Sequence, residues 1–535
     1  MLRARTRRLA GVVTGGMLSA VALLCMVRHS SSAQAAPSPA FLTIENGVFV
    51  KDGKRFSIRA TCCDPAVGHW FLFRGPWIEA GLAHCRQYGF NAIRTWVPGT
   101  GGREDAATYG AWLQDRDAFY REFDRVFVER CKAEGVYLIL TLTELPASAG
   151  PGSRYDVDSE AYAAWRRFAE DFCGHYKDEP WILFWEVANE YRGDPENLAE
   201  TRRFYERAAR DLREIDPNHL ISSGVDGFHW QDVGNSYNVW LNINTTPGVD
   251  IASSHVYAND EWTYNWHTER DYVRMVAEEA AAAARVGKPL FLGEFGAEPR
   301  LRQNGENPEI IWYMKAIIRQ GIQAYGLHWI YPEPQAGLFN VVPQHSPRTM
   351  ALMKELNAFA AEGRQVPADF GPRTTDYAFP ICNGARPFAG PPPLTRGSAT
   401  AEADDRSFGR AAPSLHITWQ AGGAAVELGP FHPNDLSEYR DAGGALRFSI
   451  QSNGGLPGGL RVTVGDEAGA TASSDLAEAP TVGGPGAGWT SARIPMAKLP
   501  IDWTRWMWFR LELPAGTAGS LNVDDIEVAC GDGAP

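Results

Sequence analysis

The sequence predicts an α/β protein, a (β/α)8 barrel of the TIM type followed by a smaller all-β sandwich domain. Three observations carry that prediction. Short apolar runs recur eight times between residues 41 and 365, most of them separated by amphipathic stretches of helical length. Beyond about residue 365 the Gly, Pro and Ala content rises, and short alternating segments stand between Gly-rich turns. At 535 residues the chain is too long for one ordinary domain and suits a barrel-sized unit plus something smaller.

The opening stretch 41–56 contains Glu45-Asn46-Gly47 and Lys51-Asp52-Gly53, two turn signals, and reads as a β-hairpin that caps the barrel's bottom. The eight strand candidates are 56–63, 91–97, 136–144, 182–190, 220–226, 251–257, 289–296 and 324–331, all rich in β-branched and aromatic residues. Helical periodicity marks 115–134, 159–176, 196–214 and 264–286. Strands that alternate with helices pair in parallel, and eight such repeats close a barrel. The expected boundaries are a barrel over 41–365, a linker or domain edge over 366–395 containing Pro391-Pro392-Pro393, and a sandwich over 396–535.

The N-terminus reads as a processing signal. Arg3, Arg5, Arg7 and Arg8 precede an apolar stretch over 9–27, and Ala33-Gln34-Ala35 offers a small-residue cleavage site. Residues 1–36 are therefore expected to be a signal peptide and the mature protein secreted or periplasmic. An uncleaved anchor is the rival reading, and Arg7-Arg8 fits a twin-arginine signal only loosely. No later segment is long and apolar enough to span a bilayer. The signal holds five of the 51 basic residues and none of the 64 acids, so processing would take the net charge from −13 to −18. That balance argues against nucleic acid as a partner.

Seven cysteines remain beyond the signal, an odd number that leaves at least one thiol free or paired between chains. Cys382 and Cys530 bracket the C-terminal region and are expected to staple its two ends in an oxidising compartment. The barrel cysteines fall in strand-like or helix-like runs and read as buried thiols. CxxC and HExxH spacings are absent, so neither a metal nor a cofactor is expected.

Two of the apolar runs stop on a carboxylate. One is Trp185-Glu186-Val187-Ala188-Asn189-Glu190, the other Leu292-Gly293-Glu294-Phe295-Gly296. Packing does not explain this, because burying an unpaired charge costs several kcal/mol or more. A parallel barrel builds its active site at the C-terminal ends of its strands. Two carboxyl groups facing one another there are what acid-catalysed cleavage of a glycosidic bond requires.

Asn189-Glu190 and Glu294 resemble the signature of the clan A retaining glycoside hydrolases, and the chain is most similar to family 5, the cellulase and mannanase family. The resemblance covers residues 41 to about 360. It rests also on Gly89-Phe90-Asn91-Ala92-Ile93-Arg94-Thr95-Trp96, His255-Val256-Tyr257 and Trp329. It implies Glu190 as acid/base and Glu294 as nucleophile in a double displacement. The acid must carry a proton when substrate binds, while the nucleophile stays ionised. The resemblance further implies that Arg94 keeps Glu294 charged and oriented, that Tyr257 donates a hydrogen bond to it, and that Asn189 binds the sugar 2-hydroxyl. His255 would line the subsite with Trp96, Trp329 would form the floor at the cleavage point, and Trp262 would stack on further sugars.

Several of these residues have structural alternatives. Arg94 also reads as a barrel arginine paired with Glu186, His255 as a satisfied core histidine and Trp329 as plain packing. Strand parity puts Glu186, Ala188 and Glu190 on one face and sends Asn189 to the other, so both site residues reach substrate only if the strand end is irregular. The eighteen Trp suit sugar stacking or core packing equally. The sandwich reads as a carbohydrate-binding module or as a scaffold for the barrel. The implied activity is an endo-β-1,4-glycanase on a neutral polysaccharide, β-mannan first and β-glucan second. Tyr191-Arg192-Gly193 follows the acid where these enzymes often have proline. A transglycosylase with the same residues, or a non-catalytic glycan-binding protein, are the alternatives. The expected partner is a polysaccharide or oligosaccharide, with no nucleic acid, no membrane after signal cleavage, and a monomeric chain.

Overall fold

The computed structural model describes residues 40–531, other than 64–65, 76, 98–101, 143–154, 194–196, 229–235, 259–267, 298–306, 329–340, 342, 344–345, 383–392, 405–413, 430–432, 453–455, 480 and 484–487. Its barrel strands are β1 (Ile58–Cys62), β2 (Ala92–Trp96), β3 (Tyr137–Thr141), β4 (Ile182–Glu186), β5 (Leu220–Ser222), β6 (Ala252–Ala258), β7 (Leu290–Ala297) and β8 (Ala324–Leu327). They pair in the order β5-β4-β3-β2-β1-β8-β7-β6, every pair parallel. A bridge from Ser222 to Ile251 joins β5 to the foot of β6 and completes the ring. Each strand overlaps one of the predicted runs, but β4 ends at Glu186 and β8 at Leu327, short of the predicted limits.

The predicted helices form where capping residues and apolar stripes coincide. Asp115, Ser159, Asn197 and Thr268 each accept a hydrogen bond from the first turn of the helix that follows. The helices Glu160–Tyr176, Leu198–Ile215 and Glu269–Val286 turn their apolar faces to the strands. Inside the barrel, Ile58, Ala60, Ala92, Ile139, Phe184, Ile251, Phe291 and Ala324 fill the lower layers. Leu42 and Phe49 join the same cluster from an antiparallel segment, Thr43–Glu45, Val48–Lys51 and Lys54–Arg55. The Phe49 amide donates to Gln323 Oε1 at 3.1 Å. The bottom of the barrel is thus plugged by Leu42 and Phe49.

The C-terminal region is built from β9 (Phe379–Cys382), β10 (Leu394–Gly397), β11 (Thr400–Asp404), β12 (Ser414–Trp419), β13 (Ala424–Leu428), β14 (Ala445–Gln451), β15 (Arg461–Asp466), β16 (Thr471–Asp475), β17 (Thr481–Gly483), β18 (Trp489–Pro495), β19 (Trp506–Leu513) and β20 (Gly519–Ala529). One antiparallel sheet runs β11-β12-β20-β14-β18-β17 with β9 added on β20, the other β10-β13-β19-β15-β16. Their inward residues, among them Phe448, Val462, Phe509, Leu511 and Val523, form one core.

The 366–395 segment, expected as a linker or domain edge, contributes β9 and the start of β10 to the sheets. One expectation changes here: the Cys382–Cys530 staple is not formed, because Cys530 is a free thiol. Strand register explains why: Cys382 pairs with Ile526 of β20, and Cys530 lies four residues beyond that partner. At ~3.3 Å per residue the two Cα atoms are ~13 Å apart along the strand, beyond the ~7 Å limit for a bridge. Their positions in sequence bracket the region, but not in space.

Barrel and sandwich meet along the helix Glu269–Val286. The Asp435 amide donates to Asp271 Oδ1 at 2.9 Å, Arg274 donates to the Pro433 carbonyl at 2.5 Å, and the Tyr439 hydroxyl donates to the Thr374 carbonyl at 3.1 Å. Among the described residues no helix is long and apolar enough to cross a membrane. The signal-peptide stretch 1–36 lies outside the described residues.

Candidate active site

Arg94, on β2, organises the top of the barrel. Its side chain is fully buried, so its charge must be met inside the protein. Nε donates to Glu186 Oε1 at 2.8 Å, Nη2 donates to Asn189 Oδ1 at 2.8 Å and to Glu186 Oε1, and Nη1 donates to Glu294 Oε1 at 2.6 Å. Arg94 is thus hydrogen-bonded to Glu186 and to Glu294 at once. Glu186 lies a layer deeper, where Thr141 also donates to it at 2.8 Å, and it anchors the arginine from below.

The strand end is irregular, as joint access of Asn189 and Glu190 demands. Beyond β4 the Val187, Ala188 and Glu190 amides still donate to Ser222, Ser223 and Gly224, but Glu190 itself has φ +52°. The regular alternation of faces is broken there. Asn189 turns to Arg94 while Glu190 turns to His255, whose Nδ1 lies 3.0 Å from Glu190 Oε1 and 3.6 Å from Glu294 Oε1.

On β7 the pairing with β6 shifts register between Leu292 and Glu294. Gly293 makes the shift tolerable, since a Cβ there would lie 2.6 Å from His255 Nε2. The Glu294 carboxylate then meets Arg94 and His255 on Oε1, while Oε2 accepts from the Tyr257 hydroxyl and lies 3.2 Å from His328 Nδ1. Burial would raise its pKa, but His255, Arg94 and His328 outweigh burial and hold Glu294 well below the usual carboxylate range. His255 is the converse case. Burial would lower it, yet the Glu294 and Glu190 carboxylates, working against Arg94, bring it above the ordinary imidazole value. Burial and the same carboxylates push the Tyr257 hydroxyl well up, so it remains a donor.

The two carboxyl side chains differ in access. Glu190 is 21% exposed, whereas Glu294 is 4% exposed. Glu190, His255 and Glu294 each present a ligand-type atom within 4.8 Å of the others. Such spacing also suits a cation, but the Arg94 guanidinium already supplies positive charge at Glu294. An ionised buried carboxylate facing a second, solvent-accessible carboxyl at this range can do nucleophilic and general-acid chemistry on one bond.

A family model for "Cellulase (glycosyl hydrolase family 5)" matches residues 51–331, more than half of the chain. The chain belongs to glycosyl hydrolase family 5. This enzyme is 26% identical over 333 residues to "Mannan endo-1,4-beta-mannosidase 8" of Oryza sativa subsp. japonica, covering 52% of the chain and 88% of the relative. It is 26% identical over 301 residues to "Mannan endo-1,4-beta-mannosidase 7" of Arabidopsis thaliana, covering 47% and 68%. Among solved structures it is similar to the endo-beta-1,4-mannanase from Thermotoga petrophila, at 14% identity and a TM-score of 0.48, over 87% of this chain and 99% of that one.

Of the sequence-predicted residues, Arg94, Asn189, Glu190, His255, Tyr257 and Glu294 come together in one hydrogen-bonded cluster. Trp96 shares the strand face of Arg94 two residues on, and its indole N–H is buried without a hydrogen-bond partner among the described residues. Trp262 and Trp329 lie outside the described residues.

The sequence reading missed three neighbours. His328 stands one residue past β8, at Glu294, edge-on to Tyr257 at 5.1 Å. Its signal was a polar residue at a strand end, obscured by the adjacent Trp329. Cys62 ends β1 and donates to the Gly293 carbonyl at 3.4 Å. Asp226 pairs with Arg192, and burial, opposed by Arg192 and reinforced by Glu190, pushes it up to about 7.

Proposed function

We propose that this glycoside hydrolase is an exported, retaining endo-β-1,4-mannanase, with Glu294 as nucleophile and Glu190 as acid/base. The observation that carries the mechanism is the close approach of the two carboxyl groups, with oxygens within 4.8 Å. Retaining enzymes hold their carboxyls about 5–5.5 Å apart, whereas inverting ones leave about 6.5–9.5 Å for a water. The division of labour follows from surroundings. Three cationic or donor groups favour the ionised form of Glu294, and Glu190 sits where a leaving oxygen and water have access.

In the first step Glu294 attacks the anomeric carbon while Glu190 protonates the departing oxygen. In the second, Glu190 takes a proton from water, which displaces Glu294 from the sugar. Arg94 and Tyr257 fix the two Glu294 oxygens, so the carboxylate arrives oriented. Asn189, held by Arg94, is the contact for the 2-hydroxyl. Trp96, Trp262 and Trp329 are assigned to the sugar-binding surface.

Mannan as substrate is supported by the activity in the names of the plant relatives, with β-glucan second. Residues 1–36 are read as the export signal.

The test is reducing-end release from galactomannan, glucomannan, carboxymethylcellulose, mixed-linkage glucan and xylan, with Glu294→Ala in parallel. Release from galactomannan and glucomannan, lost in the variant, is the expected result. Release from glucans alone would overturn the mannan assignment, and undiminished release by Glu294→Ala would overturn the nucleophile.

A further inference from the structure

Glu190 is one of five non-glycine residues with positive φ among the described residues. Asn46 and Asp52 occupy tight turns of the N-terminal segment, where such residues tolerate this conformation. A glutamate gains nothing from it. The left-handed region crowds a residue that carries a Cβ, and it persists only where the surroundings impose it.

Upstream, the restraint is backbone. The Glu190 amide donates to the Gly224 carbonyl at 2.8 Å. Gly224 has φ +71°, and a Cβ there would stand 1.8 Å from the Ala188 carbonyl oxygen, so the two strand ends approach as closely as the chain allows.

Downstream, the restraint is aromatic. The Tyr191 ring stacks on Tyr155 with centroids 3.7 Å apart and planes 18° from parallel. Phe204 closes on both edge-on, at 5.0 Å and 5.3 Å. The Tyr191 carbonyl, the first one past the glutamate, accepts from the Tyr205 hydroxyl at 2.7 Å. All four rings are buried. A proline at 191 would bias residue 190 toward extended backbone. Tyrosine leaves the left-handed state open, and the stack then fixes it.

We propose that Tyr155, Tyr191 and Tyr205 form a clamp that holds the backbone of Glu190 in its left-handed conformation and so aims its carboxyl at the oxygen it protonates. The inference rests on the acid/base reading of Glu190. These tyrosines are positioning residues, since they act through the glutamate's main chain. An acid out of place by about 1 Å forfeits much of the ~10²–10⁴-fold that proton transfer supplies. That loss depends on the leaving group. A departing sugar hydroxyl needs the proton, whereas 2,4-dinitrophenolate leaves without it.

The experiment compares Tyr155→Leu, Tyr205→Phe and Tyr155→Phe with wild type on two substrates. One is the polysaccharide hydrolysed fastest in the panel above, the other the 2,4-dinitrophenyl glycoside of the matching disaccharide. Tyr155→Leu and Tyr205→Phe should lower kcat/KM on the polysaccharide by about 10- to 100-fold. They should leave kcat/KM on the dinitrophenyl glycoside, which reports only the attack of Glu294, within about 3-fold, while kcat and KM there fall together because the water step also uses Glu190. Tyr155→Phe keeps the stacked ring and should restore the polysaccharide rate.

A parallel fall in kcat/KM on both substrates, or no fall on either, would overturn the clamp. Glu190→Ala run alongside separates the two levels. If it spares kcat/KM on the dinitrophenyl substrate, the acid assignment stands and the tyrosine result judges the clamp alone. If it lowers kcat/KM on both substrates equally, the acid assignment fails and takes the clamp with it.

Discussion

Each half of the molecule buries an arginine–glutamate pair on its strands, and the two pairs serve different ends. In the sandwich Arg447 of β14 sits opposite Glu527 of β20 in register and donates to it at 2.7 Å. In the barrel Arg94 spreads over Glu186, Asn189 and Glu294, which come from two other parts of the ring. The sandwich pair is a cross-strand contact that the ladder itself brings together. The barrel pair needs a bulge at Gly293 and a left-handed Glu190, and it leaves a carboxylate oxygen for Tyr257 and His328. A buried ion pair alone is therefore weak evidence of function. Local strain beside it, and more polar contacts than charge balance requires, distinguish a reactive site.

The largest contrast is expected from removing the glutamates. Glu294→Gln should reduce kcat by about 10⁴-fold or more while the protein stays folded. Glu527→Gln should leave kcat within about 2-fold but cost on the order of 3 kcal/mol in denaturant unfolding, because it leaves Arg447 buried without its charge partner. If both variants lose only stability, the distinction between the pairs collapses.

Replacing the arginines sharpens the same contrast through pH. Lysine cannot span the three acceptors that Arg94 reaches. Arg94→Lys should lower kcat/KM by about 100-fold. Arg94 helps hold the Glu294 pKa down, so Arg94→Gln, which removes the charge, raises that pKa, and the acidic limb of the kcat/KM profile should move to higher pH. Arg447→Lys should leave the profile where it is.

Glu279 provides a third contrast, a buried acid behind the site. Its side chain accepts from Ser254 at 2.5 Å, and burial, only partly offset by that hydrogen bond, pushes it up to about 8 from 4.5. The folded protein thus binds this proton more tightly than the unfolded chain. Wild-type stability is favoured below about pH 4.5, falls as pH rises to about 8, and levels off beyond. Glu279→Gln should match wild type near pH 4 and exceed it by on the order of 5 kcal/mol at pH 9, read from urea midpoints. The smallest effect belongs to the surface. Arg202→Ala, which breaks an exposed pair with Glu206, should change stability by less than about 0.5 kcal/mol and kcat not at all.

Much of this was legible in the sequence because periodicity and burial are local. The eight strands and the acids at 190 and 294 could be read from runs of apolar residues and where they stop. What escaped depends on contacts between distant positions. Arg192 reaches Asp226 across 34 residues, and only the fold brings His328 to Glu294. Strand parity argued against Asn189 and Glu190 sharing a site, and one φ angle at Glu190 resolves the conflict. The cysteine pair failed for the same reason in reverse, since ends of a sequence segment need not be neighbours in a sheet.

The most direct test of the account is the anomeric configuration of the first product, followed by ¹H NMR during the opening minutes of hydrolysis of a β-linked mannooligosaccharide. Double displacement through Glu294 predicts that the β-anomer forms first and the α-anomer arises only by later mutarotation. Initial appearance of the α-anomer would mean inversion, and would contradict the assignment of Glu294 as a nucleophile.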